Sequence, residues 1–296
     1  MTHIPALLKE MLSQLSPQNG GIYVDATFGA GGYSKAILKS ADCKVYAIDR
    51  DETVTKFYDD LSTKYPDKIK LSIEKFSNIK NLLDSNNIEG VDGVVFDIGV
   101  SSMQLNNGDR GFSFLHDGPL DMSMDNFSHI NASTFVNALR EEEIANTIYN
   151  YGGERHSRKI ARAIVNARKK KTIKTTFELA DIVRSVVFRG KSKIDPTTKT
   201  FQAIRIWVND ELGELEKGIK AASEILNENG KLIVVTFHSL EDRIVKTFFK
   251  DLREPRSTDC KTFSLLNKKV IKASIEEVNA NPRSRSAKLR AIQRLL

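Results

Sequence analysis

Asp25-Ala26-Thr27-Phe28-Gly29-Ala30-Gly31-Gly32 follows directly on the apolar run Ile22-Tyr23-Val24, and Ser34 to Lys39 beyond it is compatible with a helix. A strand that ends in a glycine-rich turn and enters a helix is how a βαβ unit opens. Glycines there let the backbone turn tightly and let a ligand approach with no side chain in the way. The first N–H groups of the following helix have no intrahelical partner. Working outward, Val45 to Asp49 is a second apolar run, Ile69 to Ile73 a third, and Val91 to Asp97 a fourth that ends on an acidic residue. Strands alternating with helical stretches at this spacing predict a parallel sheet in an α/β fold.

Between Asn106 and Lys199 the pattern changes. A loop rich in Gly, Pro and Met, Gly108 to Met124, leads into helical segments with no strand-like runs of comparable quality. Strand character returns at Lys231 to Phe237, after the turn signal Asn229-Gly230. The segments Val270 to Ile275 and Ala287 to Ile292 offer an antiparallel edge. The expected architecture is a Rossmann-like, doubly wound sheet built from residues 1–105 and 200–296, with an inserted helical domain over 106–199.

Bulk properties set outer bounds. The 296 residues are 40% hydrophobic and 28% charged, as in an ordinary soluble protein. No apolar run approaches the ~20 residues that span a bilayer. Thr2, His3 and Pro5 precede a Leu-rich stretch already broken by Lys9 and Glu10, so no secretory signal is expected. Cys43 and Cys260 are too few and too far apart for a disulfide framework or a thiolate metal site, and a cytoplasmic address follows. The net charge of +7 favours a polyanionic partner without selecting nucleic acid by itself.

Two cofactor classes suit the loop. Asp49 ends the second strand 24 residues after Asp25, where a carboxylate can accept both hydroxyls of a ribose. NAD and S-adenosylmethionine both carry one. The dinucleotide fingerprint wants a third glycine where Ser34 stands, and Asp25 suits an amino-acid ammonium group better than a pyrophosphate. Phe76, just after the third strand, suits either an adenine stack or the core, and Asp97 completes a row of residues at the carboxyl ends of the strands. Together these point to S-adenosylmethionine. A nicotinamide oxidoreductase would also predict no basic insertion. Here Arg155, Arg158, Lys159 and Arg162 recur at helical spacing opposite Ile160, Ala163, Ile164 and Ala167, and the stripe runs on into Arg168-Lys169-Lys170-Lys171. Arg283, Arg285, Lys288 and Arg290 form a second cluster. A plain solvated face is the competing reading, but two clusters flanking one crevice suit the phosphates of a folded RNA. A non-catalytic RNA-binding protein with a decayed cofactor fold would lose the loop glycines or Asp97, and all are present.

The stretch after the fourth strand, Asp97-Ile98-Gly99-Val100-Ser101-Ser102-Met103-Gln104-Leu105, carries a family likeness. With His3-Ile4-Pro5, the Asp25 to Gly32 loop and Asp109-Arg110-Gly111-Phe112-Ser113-Phe114, it resembles the bacterial 16S ribosomal RNA cytosine-N4 methyltransferases, the MraW or RsmH family. The resemblance covers nearly the whole chain. It continues through Asp117-Gly118-Pro119-Leu120-Asp121-Met122, Tyr151-Gly152-Gly153-Glu154-Arg155, Thr200 to Ile206, Phe237 to Arg243 and Asn281 to Arg290. It implies that Gly31, Gly32, Tyr33, Asp49, Phe76, Asp97 and Gln104 contact S-adenosylmethionine, and that the target is a cytosine of the decoding centre, in 16S ribosomal RNA of the small subunit. Tyr33 stands where His is usual, Met103 where Pro is usual and Ser123 where Arg is usual, while Asp195 and Lys199 replace a His and an Arg.

The chemistry fits independently. Transfer from a sulfonium is an in-line displacement that needs positioning and no metal. The N4 lone pair of cytosine is delocalised, so a hydrogen-bond acceptor on its N–H raises its nucleophilicity. Asp97 is the first candidate for that role, with Ser101 or Ser102 orienting the base; that Asp97 only holds the cofactor stands as the rival reading. The target base must leave its stack to be reached. C5 methylation would need a Cys nucleophile, which neither Cys43 nor Cys260 is placed to supply. A DNA amino-methyltransferase would carry an Asp/Asn/Ser-Pro-Pro-aromatic motif where Asp97-Ile98-Gly99-Val100 stands. His238-Ser239 lacks a G-x-S-x-G elbow and is assigned a structural or RNA-contact role. His3, His116, His129 and His156 show no metal-ligand spacing, so no metal is expected. No membrane partner is expected either, a homodimer is left open, and another RNA or nucleic-acid amino group is the alternative substrate.

Overall fold

The computed structural model describes residues 5–125, 130–187, 195–254 and 262–295, with the side chain of Ser102 left out. His3, Ile4, His129 and Cys260 therefore lie outside the described residues. The chain forms two compact units, residues 1–99 with 212–296, and residues 100–211.

The first unit opens with α1 (Leu8–Leu15), β1 (Ile22–Asp25), α2 (Gly32–Ser40) and β2 (Lys44–Asp49). It continues with α3 (Thr55–Lys64), β3 (Ile69–Ile73), α4 (Ile79–Ser85) and β4 (Val91–Asp97). The second unit holds α5 (Ser102–Asn106), α6 (Ala132–Ala138), α7 (Glu141–Gly152), α8 (Ser157–Arg168), α9 (Thr176–Val186) and α10 (Thr197–Asn209). The chain then returns through α11 (Glu211–Ile225), β5 (Leu226–Thr236), α12 (Ser239–Arg253), β6 (Phe263–Leu265), β7 (Ile271–Lys272), α13 (Ile275–Ala280) and β8 (Lys288–Arg294).

The sheet of the first unit runs β3-β2-β1-β4-β5-β8-β6, with β7 paired on β8. Its first five strands are parallel, and β8 turns antiparallel against β5. The strands are apolar runs because both faces are covered. Val94, Phe96, Leu232, Val234 and Ile292 pack with α4, α11 and α12 through Ile79, Leu83, Leu215, Ile219, Val245 and Phe249. The alternate residues Val95, Ile233 and Val235 are buried as well.

Two expectations shift at the return strand. β5 begins at Leu226, five residues before the expected Lys231, and Asn229 sits at φ 63 in the left-handed region. The Asn229-Gly230 turn is thus an irregularity inside a strand, marked by the register jump from Val91↔Leu226 to Gly93↔Lys231. The expected edge over Val270 to Ile275 is only the two-residue β7, and the three-residue β6 lies where no strand is expected.

The helical unit has its own core, with Phe135, Ile144, Ile148, Ile160, Ile164, Leu179 and Val183 at its centre. Phe201, Ala203, Ile204 and Val208 of α10 belong to that core, which is why the compact unit extends to residue 211. No helix among the described residues is long and apolar enough to cross a membrane.

Candidate functional site

Asp25, Asp49 and Asp97 close three adjacent parallel strands, at the end where open α/β sheets bind ligands. Each is held differently. Asp25 is fully buried. Its Oδ2 accepts from the Ser34 N–H at 3.1 Å and the Ser34 hydroxyl at 2.7 Å, and its Oδ1 accepts from the Thr27 N–H at 3.3 Å. The residue expected beside an ammonium group is therefore a brace under the glycine loop, reaching a ligand only through its charge. Burial still outweighs those bonds and raises its pKa to about 6.

Asp49 ties the loop to the second strand. Its Oδ2 accepts from the Gly29 N–H at 2.7 Å and its Oδ1 from the Asp51 N–H at 2.9 Å. A carboxylate has about four acceptor sites, so two remain for ligand hydroxyls. Burial raises this pKa also to about 6, against the two N–H groups that favour the charged form.

Asp97 is the least compensated. Its N–H donates to the Thr27 hydroxyl at 2.6 Å, but its buried Oδ1 has no hydrogen-bond partner among the described residues. Burial, then the charges of Asp25 and Glu241, push its pKa to about 8. A carboxylate with a buried oxygen that meets no donor normally marks strain or function.

Glu241 was not legible as part of this site. It is fully buried at the start of α12. Its Oε2 accepts from the Phe237 and His238 N–H groups at 2.7 and 3.1 Å, and its Oε1 lies 2.9 Å from His238 Nε2. His238 Nδ1 accepts from the Glu241 N–H at 3.4 Å, which makes His238 the helix N-cap and bears out a structural role for it. The signal was the His-x-x-Glu spacing of a capping box.

The loop itself is shaped by glycine. Gly29 and Gly31 adopt φ 53 and 72, and a Cβ on Gly31 would lie 2.9 Å from the Phe28 ring. A Cβ at Gly29 would meet only the Thr27 carbonyl, at 4.0 Å. Tyr33 turns inward: its ring is buried and its hydroxyl donates to the Ala6 carbonyl at 2.6 Å. Only its backbone is left for a ligand. Phe76 is half-buried, meets Phe96 edge-on at 5.4 Å, and rests on Gly218, where any Cβ would collide with its ring. It is thus a core contact with a partly open face.

Three raised carboxylates beside a glycine loop, Asp49 with acceptor sites to spare and Asp97 with a buried oxygen that meets no donor among the described residues, fit a small cationic molecule that carries hydroxyl groups.

In the second unit, Ser101 caps α5. Its Oγ accepts from the Gln104 N–H at 3.2 Å, and Gln104 Oε1 accepts from the Ser101 N–H at 3.0 Å. The capping box fixes both side chains, and Ser102 is the first residue of that helix. Of the departures from the family pattern, Asp195 makes an ion pair with Arg184 at 3.0 Å, and Lys199 reaches the Gly153 carbonyl at 3.3 Å. Ser123 donates its hydroxyl to Asp121 at 2.7 Å.

The basic stripe divides. Arg155, Arg158, Lys159 and Arg162 are exposed on and before α8, with Arg162 3.7 Å from Glu141. Arg168 belongs to the fold instead, donating to the Val136 and Leu139 carbonyls at 2.7 and 2.6 Å at the end of α6. Arg168→Ala is expected to destabilise the protein by about 1–3 kcal/mol, whereas Arg158→Ala should stay within about 0.5 kcal/mol. Equal losses of melting temperature in the two variants would contradict this division. The carboxy-terminal cluster divides likewise. Lys288 and Arg290 pair with Asp242 at 3.1 and 2.8 Å, which leaves Arg283 and Arg285 as its exposed members.

The chain has relatives among known proteins. The family model described as the MraW methylase family matches residues 1–295. A protein of Wolbachia sp. subsp. Drosophila simulans (strain wRi), named ribosomal RNA small subunit methyltransferase H, is 92% identical over 295 residues. Proteins of the same name from Wolbachia pipientis subsp. Culex pipiens (strain wPip) and Ehrlichia ruminantium (strain Gardel) are 88% and 62% identical. In all three cases the match covers 100% of this chain and 100% of the relative. With a family match along almost its full length and relatives this similar, the chain belongs to the MraW methylase family.

Proposed function

We propose that this protein is an S-adenosylmethionine-dependent methyltransferase that modifies the exocyclic N4 of a cytidine in the decoding centre of 16S ribosomal RNA. The observation that carries the reading is Asp97: a half-buried carboxylate whose buried Oδ1 is unfilled, at the strand end where the sheet binds ligands. The names of the relatives support a ribosomal RNA substrate. S-adenosylmethionine supplies a sulfonium methyl already activated for displacement.

The residues of this chain do the rest. Asp49 accepts the ribose hydroxyls while it fixes Gly29, and Gly31 and Gly32 offer the ligand their backbone groups at the start of α2. The open face of Phe76 would hold the adenine of the cofactor. The ionised Asp97 accepts the N4–H of the cytosine, which enriches the nitrogen lone pair, offsets the positive charge that develops on nitrogen as the methyl leaves the sulfonium, and takes the proton the nitrogen then releases. Raised above its ordinary value, the Asp97 carboxyl is a stronger acceptor once ionised. Ser101 and Ser102 are the candidates for orienting the base, and Gln104 for the cofactor. The exposed arginines and lysine of α8 neutralise RNA phosphates.

The test is transfer of labelled methyl from S-adenosylmethionine to small ribosomal subunits from cells lacking this enzyme, followed by nucleoside analysis. Label recovered as N4-methylcytidine is the expected result. Label in another nucleoside would move the assignment to a different amino group. No label on subunits or naked RNA, with cofactor binding intact, would overturn the substrate.

A further inference from the structure

The residues just before α1 lie against the glycine loop, and three separate contacts hold them there. Pro5 packs on Gly32 so closely that any Cβ at Gly32 would collide with its ring. The Ala6 carbonyl accepts from the Tyr33 hydroxyl at 2.6 Å. The Leu7 N–H donates to Glu277 Oε1 at 2.7 Å. Pro5, Ala6 and Leu7 are all buried.

Leu7 also carries strain. It sits at φ 53, ψ 33, in the left-handed region that a leucine rarely adopts. Such a conformation persists only where its surroundings over-determine it, and these segments concentrate at ligand clamps. Here the determinants are a fully buried side chain, the Glu277 carboxylate, and the α1 bond from the Met11 N–H to the Leu7 carbonyl at 2.8 Å. Glu277 is itself fixed, since its own N–H donates to the Ser274 hydroxyl at 3.2 Å as α13 begins. Tyr33 is an unambiguous donor: burial and the neighbouring carboxylates keep its phenol protonated at any working pH.

We propose that Tyr33 and Glu277 are positioning residues that clamp Pro5-Ala6-Leu7 against Gly32, and that the clamped strap sets how tightly the glycine loop holds its cofactor. The inference rests on the cofactor reading above and extends it to residues that touch no reacting atom. It also gives Tyr33 a reason to be tyrosine. Its side chain is turned from the loop toward Ala6, and the phenolic oxygen makes the bond that pins the strap.

Removing one pin leaves the strap attached at the other. Tyr33→Phe deletes only the hydroxyl, and Glu277→Ala deletes only the acceptor of the Leu7 N–H. Glu277→Gln keeps an amide oxygen that can accept it. Two readouts on the intact chain test the idea: the dissociation constant for S-adenosylhomocysteine by calorimetry, and hydrogen exchange of the Leu7 and Met11 amides. Tyr33→Phe and Glu277→Ala are expected to weaken binding about 5- to 20-fold, each the loss of roughly one hydrogen bond, and to speed exchange at Leu7. Glu277→Gln should retain most of both properties.

Faster exchange with an unchanged dissociation constant would overturn the proposal, leaving a strap of purely structural importance. Unchanged exchange in both variants would overturn the clamp itself. Failure of the unsubstituted chain to bind S-adenosylhomocysteine would overturn the cofactor reading, and this inference with it.

Discussion

Asp97→Ala is expected to lower kcat for methyl transfer by about 10²- to 10⁴-fold, the range for a positioned acid–base group, with cofactor affinity changed far less. The residue has no structural partner to lose, since its Oδ1 meets no donor among the described residues. Removing it should cost chemistry and not folding. The split between kcat and the cofactor dissociation constant, measured on the same variant, decides between the two roles open for Asp97. A loss confined to kcat assigns the carboxylate to the cytosine amino group. A comparable loss of cofactor affinity assigns it to the cofactor.

Asp97→Asn adds a stability test with a definite sign. The ordinary aspartate value is 3.8, and in the fold it is raised to about 8 by burial and then by Asp25 and Glu241. Between those values the native chain holds a proton that the unfolded chain has released, so this group makes the protein less stable as pH rises from about 4 to about 8. Asparagine has no proton to lose. Its stability advantage over the unsubstituted protein should therefore grow across that window and level off above it. Thermal melts at pH 5, 6.5 and 8.5 check this, and an advantage that shrinks with pH would contradict the burial account. A protein made more stable and less active by one substitution is what a functional site under electrostatic strain predicts.

The sheet was legible because its strands are buried on both faces, so Val91 to Asp97 reads as one apolar run whatever its neighbours are. The loop was legible because glycine and the closing aspartates are local signals. What escaped depends on partners distant in sequence. β6 is three residues long, Phe263–Leu265, and exists only because β8 pairs with it; nothing in Phe-Ser-Leu announces a strand. Ser34 stands out in the sequence only for the glycine it replaces, and its double hydrogen bond to Asp25 forms across nine residues and a turn. Arg168, Lys288 and Arg290 look like RNA-binding charge in sequence. Carbonyls at the end of α6 engage the first and Asp242 engages the other two, so a basic cluster in a one-dimensional pattern overstates the free positive surface. Glu241 was hidden for the same reason. It reaches Asp97 only as a charge, from the start of a helix 144 residues further along the chain.

Asp49→Ala should weaken S-adenosylhomocysteine binding by about 10²- to 10⁴-fold. Two ligand hydroxyls would lose a charged acceptor, each such bond contributing about 1.5–3 kcal/mol. The Gly29 and Asp51 N–H groups would lose theirs as well, so the loop loosens even before the ligand arrives. The pH dependence separates these effects. In the ligand-free protein Asp49 titrates near 6, raised by burial against the pull of the two N–H groups, and only its ionised form accepts two hydroxyls and keeps both N–H bonds. Affinity should therefore be flat above about pH 7 and fall as pH drops through 6, by up to about tenfold per unit once the carboxyl is protonated. Binding near pH 6 should release protons, seen as a dependence of the calorimetric heat on the ionisation enthalpy of the buffer. Asp25, also near 6, contributes to the same release through its charge alone. Asp49→Ala should therefore shrink the proton release without abolishing it. Undiminished release in that variant would place the linkage on Asp25 and Asp97, and would remove Asp49 from contact with the ligand.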